Sequence, residues 1–377
     1  MNIMNGSPVL QTTIQKLYAH FSERISSFYI VAPEFDSGGL EFISNKFPEI
    51  KISYSHNDSP LLRMVEAVQE LEDSELILRV NGINLCVDVV SAEASLKLAE
   101  SESCDCVRFP DDFPSLFSSD VYRVGALRRM VLDISRIDPK YHIHPKYWIS
   151  ATTGFKSMLI SPDLARYSDS KLLAVRQEYK QSMHAKRIEV TALQAIRSGG
   201  TITFHYELAQ KYIRQSDIVL DLACGSGFGT MSLAKYARLV TGVDNDCKVI
   251  EHANSSCDNK RANFLCLDVL NMSFSSVFDV VVAFEIIEHI PPDALLTEIY
   301  RALKPNGLLL LSTPQNSLGH IPSTSDHIRE FSLSEIRKIV NKYFEIEKII
   351  GIKQGCIYFD DDPVGGNTVI VARKAVN

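Results

Sequence analysis

Three side chains that could bind a divalent ion or move a proton follow one apolar stretch of the chain. The stretch is Phe278-Asp-Val-Val-Val-Ala-Phe284, and Glu285, Glu288 and His289 come after it. If the chain turns helical after Glu285, this spacing points all three side chains to one side. Two carboxylates and an imidazole that converge suit a divalent ion. Two alternatives stay open: His289 as a metal-free general base, because imidazole ionises near neutral pH, or Glu288 and His289 as a helix cap.

A glycine-rich turn precedes these residues by some sixty positions, in the segment Val219-Leu-Asp-Leu-Ala-Cys-Gly-Ser-Gly-Phe-Gly-Thr230. Its apolar start is typical of a buried parallel strand. Its glycines predict a tight turn where the backbone approaches a ligand, followed by a helix whose N-terminus faces that ligand. Such a turn alone does not separate NAD, FAD and S-adenosylmethionine sites.

Further apolar segments continue the alternation of strand and helix. Leu239-Val-Thr-Gly-Val-Asp244 and Asn263-Phe-Leu-Cys-Leu-Asp268 each end in an acid, and Gly307–Pro314 predicts a fifth strand. A carboxylate at Asp244 can accept both hydroxyls of a ribose. Asp268 is placed to accept a hydrogen bond from an adenine amino group.

The order of these motifs resembles that of the class I S-adenosylmethionine-dependent methyltransferases, over about residues 187–377. The matching residues are Asp221–Gly227, Gly242-Val-Asp244, Asp268, Phe284–His289 and Leu303-Lys-Pro-Asn-Gly307. The resemblance implies a Rossmann-like, seven-stranded α/β domain with S-adenosylmethionine as cofactor. It implies that the donor is bound by Asp221, Ala223, Gly225, Gly227, Asp244, Asn245, Asp268, Val269 and Phe284, with His205 and Tyr206 over its methionine end.

The segment Glu285-Ile-Ile-Glu-His289 is also similar to that of metal-dependent small-RNA 2′-O-methyltransferases and ubiquinone-pathway O-methyltransferases. In the RNA family a later histidine completes the metal site, and His327 lies in the matching stretch Ser325–Phe331. The resemblance implies that Glu285, Glu288, His289 and His327 bind Mg²⁺ or Mn²⁺. It also assigns the catalytic roles to His289, Glu288 and Glu285.

The first half alternates strands and helices on its own, which predicts a second α/β unit. Gly6–Gln11, Tyr29–Ala32, Asn57–Arg63 and Leu78–Gly82 look like the cytidylyltransferases of surface-polysaccharide synthesis, which have the nucleotide-diphospho-sugar transferase fold. The basic phosphate-binding loop of that family is absent, and Ile83 replaces a metal-binding acid, leaving Asp88. Without these groups phosphoryl transfer loses its electrostatic stabilisation. We therefore expect a catalytically degenerate domain.

Length and composition limit the number of domains, the kinds of partner and the cellular location that the sequence allows. The 377 residues predict two domains: residues 1–165, a helical linker at 166–196, and the methyltransferase domain at 197–377. The net charge of −7 and the absence of a basic stripe argue against a nucleic-acid partner. No apolar run is long enough to span a membrane, and no signal peptide is recognisable. Eight scattered cysteines predict reduced thiols and a cytoplasmic location.

The sequence therefore predicts an S-adenosylmethionine-dependent O-methyltransferase. The first half associates it with carbohydrate or nucleotide-sugar substrates of bacterial surface-polysaccharide synthesis, an inference by association. The alternatives are a small-molecule or RNA 2′-O-methyltransferase whose first half only binds or forms a homodimer, and a sugar-nucleotide-binding protein with a vestigial methyltransferase.

Overall fold

The computed structural model describes residues 3–4, 7–82, 84, 86–168, 201–319, 322 and 327–375. The chain divides into two compact units, Met1–Met183 and His184–Asn377. The division falls inside the segment 166–196 predicted as a helical linker, most of which lies outside the described residues. No helix in the described ranges is long and apolar enough to cross a membrane.

Unit 2 is built on one seven-stranded sheet. Its strands are β9 (Ile218–Leu222), β10 (Leu239–Asp244), β11 (Ala262–Cys266), β12 (Phe278–Phe284), β13 (Leu303–Pro314), β14 (Glu345–Ile352) and β15 (Asn367–Arg373). They lie in the order β11-β10-β9-β12-β13-β15-β14, and only β15 runs antiparallel to the other strands. Because β9 and β12 are adjacent and parallel, the residues that follow them meet at the same edge.

Successive apolar side chains along these strands point to opposite faces of the sheet. Both faces are therefore packed, as expected for a sheet covered on both sides. Leu220 and Leu222 of β9 pack into one apolar cluster with Val281 of β12, whereas Val219 and Val280 pack into the other. The helices described in this unit are α8 (Thr201–Ala209), α9 (Phe228–Leu233), α10 (Cys247–Ser256), α11 (Pro292–Ala302) and α12 (Leu333–Val340). Residues of α11 and α12 lie in the first cluster, and residues of α8 and α9 lie in the second.

Unit 1 is also α/β, but its strands form separate sheets within the described residues. The strands are β1 (Ile3–Met4), β2 (Ser7–Pro8), β3 (Tyr29–Pro33), β4 (Lys51–Ser55), β5 (Leu76–Arg79), β6 (Cys106–Arg108), β7 (Asp120–Arg123) and β8 (Ser157–Leu159). Strands β3 and β4 pair in parallel, four strands form the sheet β5-β7-β6-β8, and the short strands β1 and β2 pair with each other. A cavity of about 570 Å³ is lined by residues of β3 and β5, including Val31 and Leu78.

Seven helices are described in unit 1, and local sequence signals account for the start of several. Pro60 is the first residue of α3 and the Ser59 side chain accepts from Leu62 N, while Asp88 caps α4 by accepting from Val90 N. The helices are α1 (Val9–Phe21), α2 (Glu41–Lys46), α3 (Pro60–Ala67), α4 (Val89–Ser101), α5 (Val124–Leu132), α6 (Pro139–Ile143) and α7 (Pro145–Ala151). The α/β class predicted for this half is observed.

Candidate functional site

The turn after β9 has the backbone that only glycine adopts easily. Gly225 has φ of 53° and Gly227 has φ of 82°, in the left-handed region. A Cβ on Gly225 would meet nothing within 4 Å, whereas one on Gly227 would lie 2.5 Å from the Phe264 ring. The turn therefore presents bare backbone at Gly225 and packs tightly against β11 at Gly227.

Asp221 and Tyr206 are buried beneath this turn and contact the residues that follow its glycines. Asp221 is fully buried, and it accepts hydrogen bonds from Tyr206 Oη at 3.0 Å and Thr230 Oγ1 at 2.6 Å. Burial raises the pKa of Asp221 to about 7, against the lowering effect of these two hydroxyl groups. Tyr206 is buried as well, and its ring occupies the space beside Gly229. Thr230, which the sequence analysis did not single out, follows the last glycine directly.

Asp244 lies at the end of β10 with its carboxylate directed at the turn. Its Oδ2 accepts from Gly225 N at 3.0 Å and its Oδ1 from Asp246 N at 3.0 Å. Asp244 is 4% exposed. The strand end, the carboxylate and the glycine turn therefore form one hydrogen-bonded unit.

The other expected donor contacts lie at the same sheet edge. Asn245 is exposed directly after Asp244, and Val269 is buried. The strand predicted to end at Asp268 ends at Cys266, so Asp268 lies two residues beyond it. There Asp268 accepts from Leu270 N at 2.9 Å and Asn271 Nδ2 at 2.7 Å, within its own turn.

Two cysteines differ from the expectation of reduced thiols. Cys247, the first residue of α10, and Cys266, the last residue of β11, form a disulfide, while Cys224 and Cys257 nearby are free. The prediction that all cysteines are unpaired is therefore wrong for this pair. Parallel pairing of β10 with β11 brings the two segments together, which spacing along the chain could not show.

Glu285 separates from Glu288 and His289, contrary to the predicted common face. Its φ is 53°, and residues 287–289 form a turn rather than a helix. The Glu285 carboxylate accepts from Ser312 Oγ at 2.7 Å and from Asn367 Nδ2 at 3.0 and 3.1 Å. It therefore points towards β13 and β15.

His205 lies beside Glu285 rather than exposed on a helix surface. The His205 side chain is fully buried, with its Nδ1 4.0 Å from Glu285 Oε1. Burial lowers the pKa of His205, with Glu285 acting in the opposite direction. Its ring contacts Phe284 at a centroid distance of 5.4 Å.

Glu288, His289 and His327 converge in a second cluster. One potential ligand atom from each lies within 4.8 Å of the others, and the two imidazole rings are 4.8 Å apart at 82°. Glu288 is 1% exposed; its Oε2 accepts from Thr313 Oγ1 at 3.0 Å, and its buried Oε1 has no hydrogen-bond partner in the described structure. Burial, and then the charge of Glu285, raise the pKa of Glu288 to about 9.

A second layer orients His327. Its Nδ1 lies 2.6 Å from Glu330 Oε1, and the other Glu330 oxygen accepts from Asn316 Nδ2 at 2.6 Å. Glu330 is fully buried. This bond leaves Nε2 of His327 as the nitrogen for a ligand, an arrangement common for metal-binding histidines. The spacing of His327 and Glu330, three residues apart, was a signal that the sequence analysis missed.

Asp88, the acid expected to remain from a metal site in the first half, is used within unit 1. It accepts from Ser91 Oγ, Tyr167 Oη and both terminal nitrogens of Arg166. Burial would raise the pKa of Asp88, but these hydrogen bonds and the Arg166 charge lower it overall. Its oxygens are thus satisfied without an ion.

Known proteins resemble part of this chain. Residues 220–311 match a family model described as a methyltransferase domain. A probable S-adenosylmethionine-dependent methyltransferase of Mycolicibacterium smegmatis is 32% identical over 161 residues, covering 41% of this chain and 62% of that protein. A ubiquinone biosynthesis O-methyltransferase of Coxiella burnetii is 32% identical over 112 residues, covering 27% of this chain and 48% of that protein.

The chain thus spans about half to three-fifths of the length of these relatives. Among solved structures, a methyltransferase of Methanosarcina mazei is 22% identical, with a TM-score of 0.37, covering 45% of this chain and 98% of that one. The family match, the seven-stranded sheet and the hydrogen-bonded turn of Gly225 and Asp244 agree. The C-terminal half of the chain carries a class I S-adenosylmethionine-dependent methyltransferase domain.

Proposed function

We propose that this protein transfers the methyl group of S-adenosylmethionine to a hydroxyl oxygen, with a divalent ion held by Glu288, His289 and His327. The observation that carries the proposal is the convergence of these three side chains after β12. Strand β12 is the neighbour of β9, and the turn after β9 is the donor-binding motif in this proposal. The name of the ubiquinone relative, an O-methyltransferase, supports oxygen as the acceptor.

The residues of the cluster fit an ion. Glu288 Oε1 is buried without a hydrogen-bond partner among the described residues, and a cation would satisfy it. The buried Glu330 carboxylate orients His327, as carboxylates do for metal-binding histidines. One carboxylate and two imidazoles suit a transition ion better than Mg²⁺, which prefers oxygen ligands. Of the two ions expected from the sequence, we therefore propose Mn²⁺.

Glu285 takes a different part in this proposal from the one expected. Its carboxylate is held by Ser312 and Asn367, so it is not counted among the ligands. Its negative charge still acts on Glu288, whose pKa it raises. Glu285 therefore favours a positive charge at the cluster without binding it directly.

The chemistry divides between the two parts of the site. The donor is already activated as a sulfonium, so the protein mainly aligns it with the acceptor. Asp244 holds the ribose and the glycine turn receives the methionine end. A bound ion supplies positive charge that lowers the pKa of an acceptor hydroxyl and fixes its direction. His289 would accept the proton itself if no ion took part.

The finer proposal is that the acceptor is a sugar hydroxyl, either nucleotide-activated or linked to a glycan, in bacterial surface-polysaccharide synthesis. The support is the likeness of the first half to cytidylyltransferases of that pathway. The net charge of −7 disfavours an RNA acceptor. The internal pairing of Asp88 supports a first half that does not catalyse nucleotidyl transfer.

Ion dependence tests the central proposal. Formation of S-adenosylhomocysteine is measured with a panel of nucleotide sugars and glycans, and methylated products are identified by mass spectrometry. A chelator should stop turnover while donor binding persists, and Mn²⁺ should restore it. Glu288→Ala and His327→Ala should each lower kcat by about 10²-fold or more, or about 2.7 kcal/mol. His252→Ala, an exposed imidazole on α10, is the matched control.

Two results would contradict parts of this proposal. Full activity in excess chelator, together with loss of activity in His289→Ala alone, would establish a metal-free general-base reaction. For the first half, release of pyrophosphate from CTP plus an acidic sugar, abolished by Asp88→Ala, would show an active cytidylyltransferase.

A further inference from the structure

The Cys247–Cys266 disulfide joins two segments that are expected to contact the donor, one following Asp244 and one preceding Asp268. Cys247 begins α10, three residues after Asp244, and Cys266 ends β11, two residues before Asp268. In the parallel pairing of β10 with β11, Asp244 lies opposite Cys266. The bridge therefore lies at the sheet edge where the adenosine part of the donor is expected.

The backbone next to the bridge is connected to the Asp244 carboxylate. Asp246 N donates to Asp244 Oδ1 at 3.0 Å, and the Asp246 side chain caps α10 by accepting from Lys248 N and Val249 N. On the other side of the bridge, Leu267 N donates to the carbonyl oxygen of Asp244 at 3.0 Å. A displacement at either cysteine is thus transmitted to Asp244 through one or two hydrogen bonds.

Solvent reagents can reach this disulfide. Cys247 is exposed and Cys266 is half-buried, whereas the free thiol of Cys224 in the neighbouring turn is buried. Cys257 is also free and packs against the same apolar cluster as Cys266. Exposed disulfides are the ones that exchange readily with small thiols.

We propose that the Cys247–Cys266 bridge is a redox-controlled positioning element of the donor site: the closed bridge holds the Asp244 and Asp268 segments in register, and its reduction weakens donor binding. The inference rests on the proposed function in one respect, the use of S-adenosylmethionine as donor. The bridge closes by exchange with a small disulfide such as oxidised glutathione. The glutathione S–S bond breaks, the Cys247–Cys266 S–S bond forms, and the two cysteine protons pass to the two released thiols.

Calorimetry on the full chain tests this proposal with S-adenosylhomocysteine, which binds without reacting. Protein treated with oxidised glutathione is compared with protein in excess dithiothreitol, and mass spectrometry of alkylated peptides verifies each state. The reduced protein should bind about fivefold more weakly or worse. Cys247→Ser and Cys266→Ser should bind like the reduced protein under both conditions. Cys257→Ser should keep the full redox response, because its thiol lies outside the bridge.

The outcomes separate this proposal from the proposed function. Equal affinity in the two verified states would overturn the redox control and leave the donor assignment intact. A response that persists in the Cys247→Ser, Cys266→Ser double variant would also overturn it, as would oxidised protein without the cross-linked peptide. Absence of binding in both states would contradict the donor assignment itself.

Discussion

Asp120 of unit 1 lies in electrical surroundings opposite to those of Asp221 and Glu288 of unit 2. In unit 1, Asp120 is 6% exposed and pairs with Lys146 at 3.0 Å and Arg79 at 3.4 Å. In unit 2, Asp221 and Glu288 are 0% and 1% exposed, and the side chains that donate to them are those of Tyr206, Thr230 and Thr313, all hydroxyl groups. Burial would raise the pKa of Asp120, but the charges of Lys146 and Arg79 lower it, whereas the pKa values of Asp221 and Glu288 are raised to about 7 and 9.

This difference indicates which unit is built for a ligand. A buried charge paired within the protein is satisfied and serves the fold, while one left without a counter-charge is costly unless a ligand supplies it. Perturbed carboxylates of the second kind cluster at functional sites. The contrast therefore supports unit 2 as the catalytic unit and a structural role for the acids of unit 1.

The substitution with the largest expected effect on stability is Asp120→Ala in unit 1. The substitution leaves Lys146, itself 8% exposed, without its buried partner. Loss of one member of a buried pair costs about 3–5 kcal/mol of unfolding free energy. Urea or thermal unfolding of the full chain measures the change.

The matched control is Asp133→Ala, whose carboxylate is 63% exposed and lies 3.7 Å from Arg136. An exposed pair of this kind contributes less than about 1 kcal/mol. If the two substitutions destabilise the chain equally, the buried charges of unit 1 are not structural, and the comparison fails.

A second test uses pH to compare Asp221 with an exposed carboxylate of the same unit. Because the pKa of Asp221 is raised from 3.8 to about 7, the native state keeps a proton that the unfolded state loses between about pH 4 and pH 7. Stability therefore falls as pH rises through this window. Relative to Asp221→Asn, which does not titrate there, wild-type protein should lose on the order of 4 kcal/mol between pH 4 and pH 8.

Thermal unfolding of both proteins across this range measures the effect. Asp258→Asn, at an exposed position of the same unit, should show no such divergence from wild type. A constant difference between wild type and Asp221→Asn would mean that Asp221 is ionised in the native state. The contrast with unit 1 would then rest on Glu288 alone.

Local signals in the sequence predicted unit 2 well. Strand β10 has the predicted bounds, Leu239–Asp244, and the glycine turn follows β9 as expected. Buried parallel strands are short apolar runs, and turns with left-handed backbone favour glycine. Both features can therefore be recognised from the sequence alone. The convergence of Glu288 and His289 with His327 was also anticipated, although from a family resemblance.

Features that depend on non-local pairing could not be predicted. The left-handed backbone at Glu285 turns its side chain away from Glu288, and nothing in Phe284–His289 requires that conformation of a glutamate. The disulfide depends on the pairing of β10 with β11. In unit 1 the ion pairs of Asp88 and Asp120 join residues 26 to 78 positions apart, beyond the reach of any local pattern.

The smallest expected effect concerns Asp244, the buried carboxylate at the end of β10. Its oxygens accept backbone hydrogen bonds from Gly225 N and Asp246 N, and the proposed donor site adds the ribose hydroxyls, because a carboxylate offers about four acceptor positions. Asp244→Ala should weaken binding of S-adenosylhomocysteine by about 2 kcal/mol, or about thirtyfold. Calorimetry measures this, with Asp258→Ala as the exposed control. Unchanged affinity in Asp244→Ala would assign the ribose to another group and reduce Asp244 to a support for the glycine turn, as satisfied within the protein as the acids of unit 1.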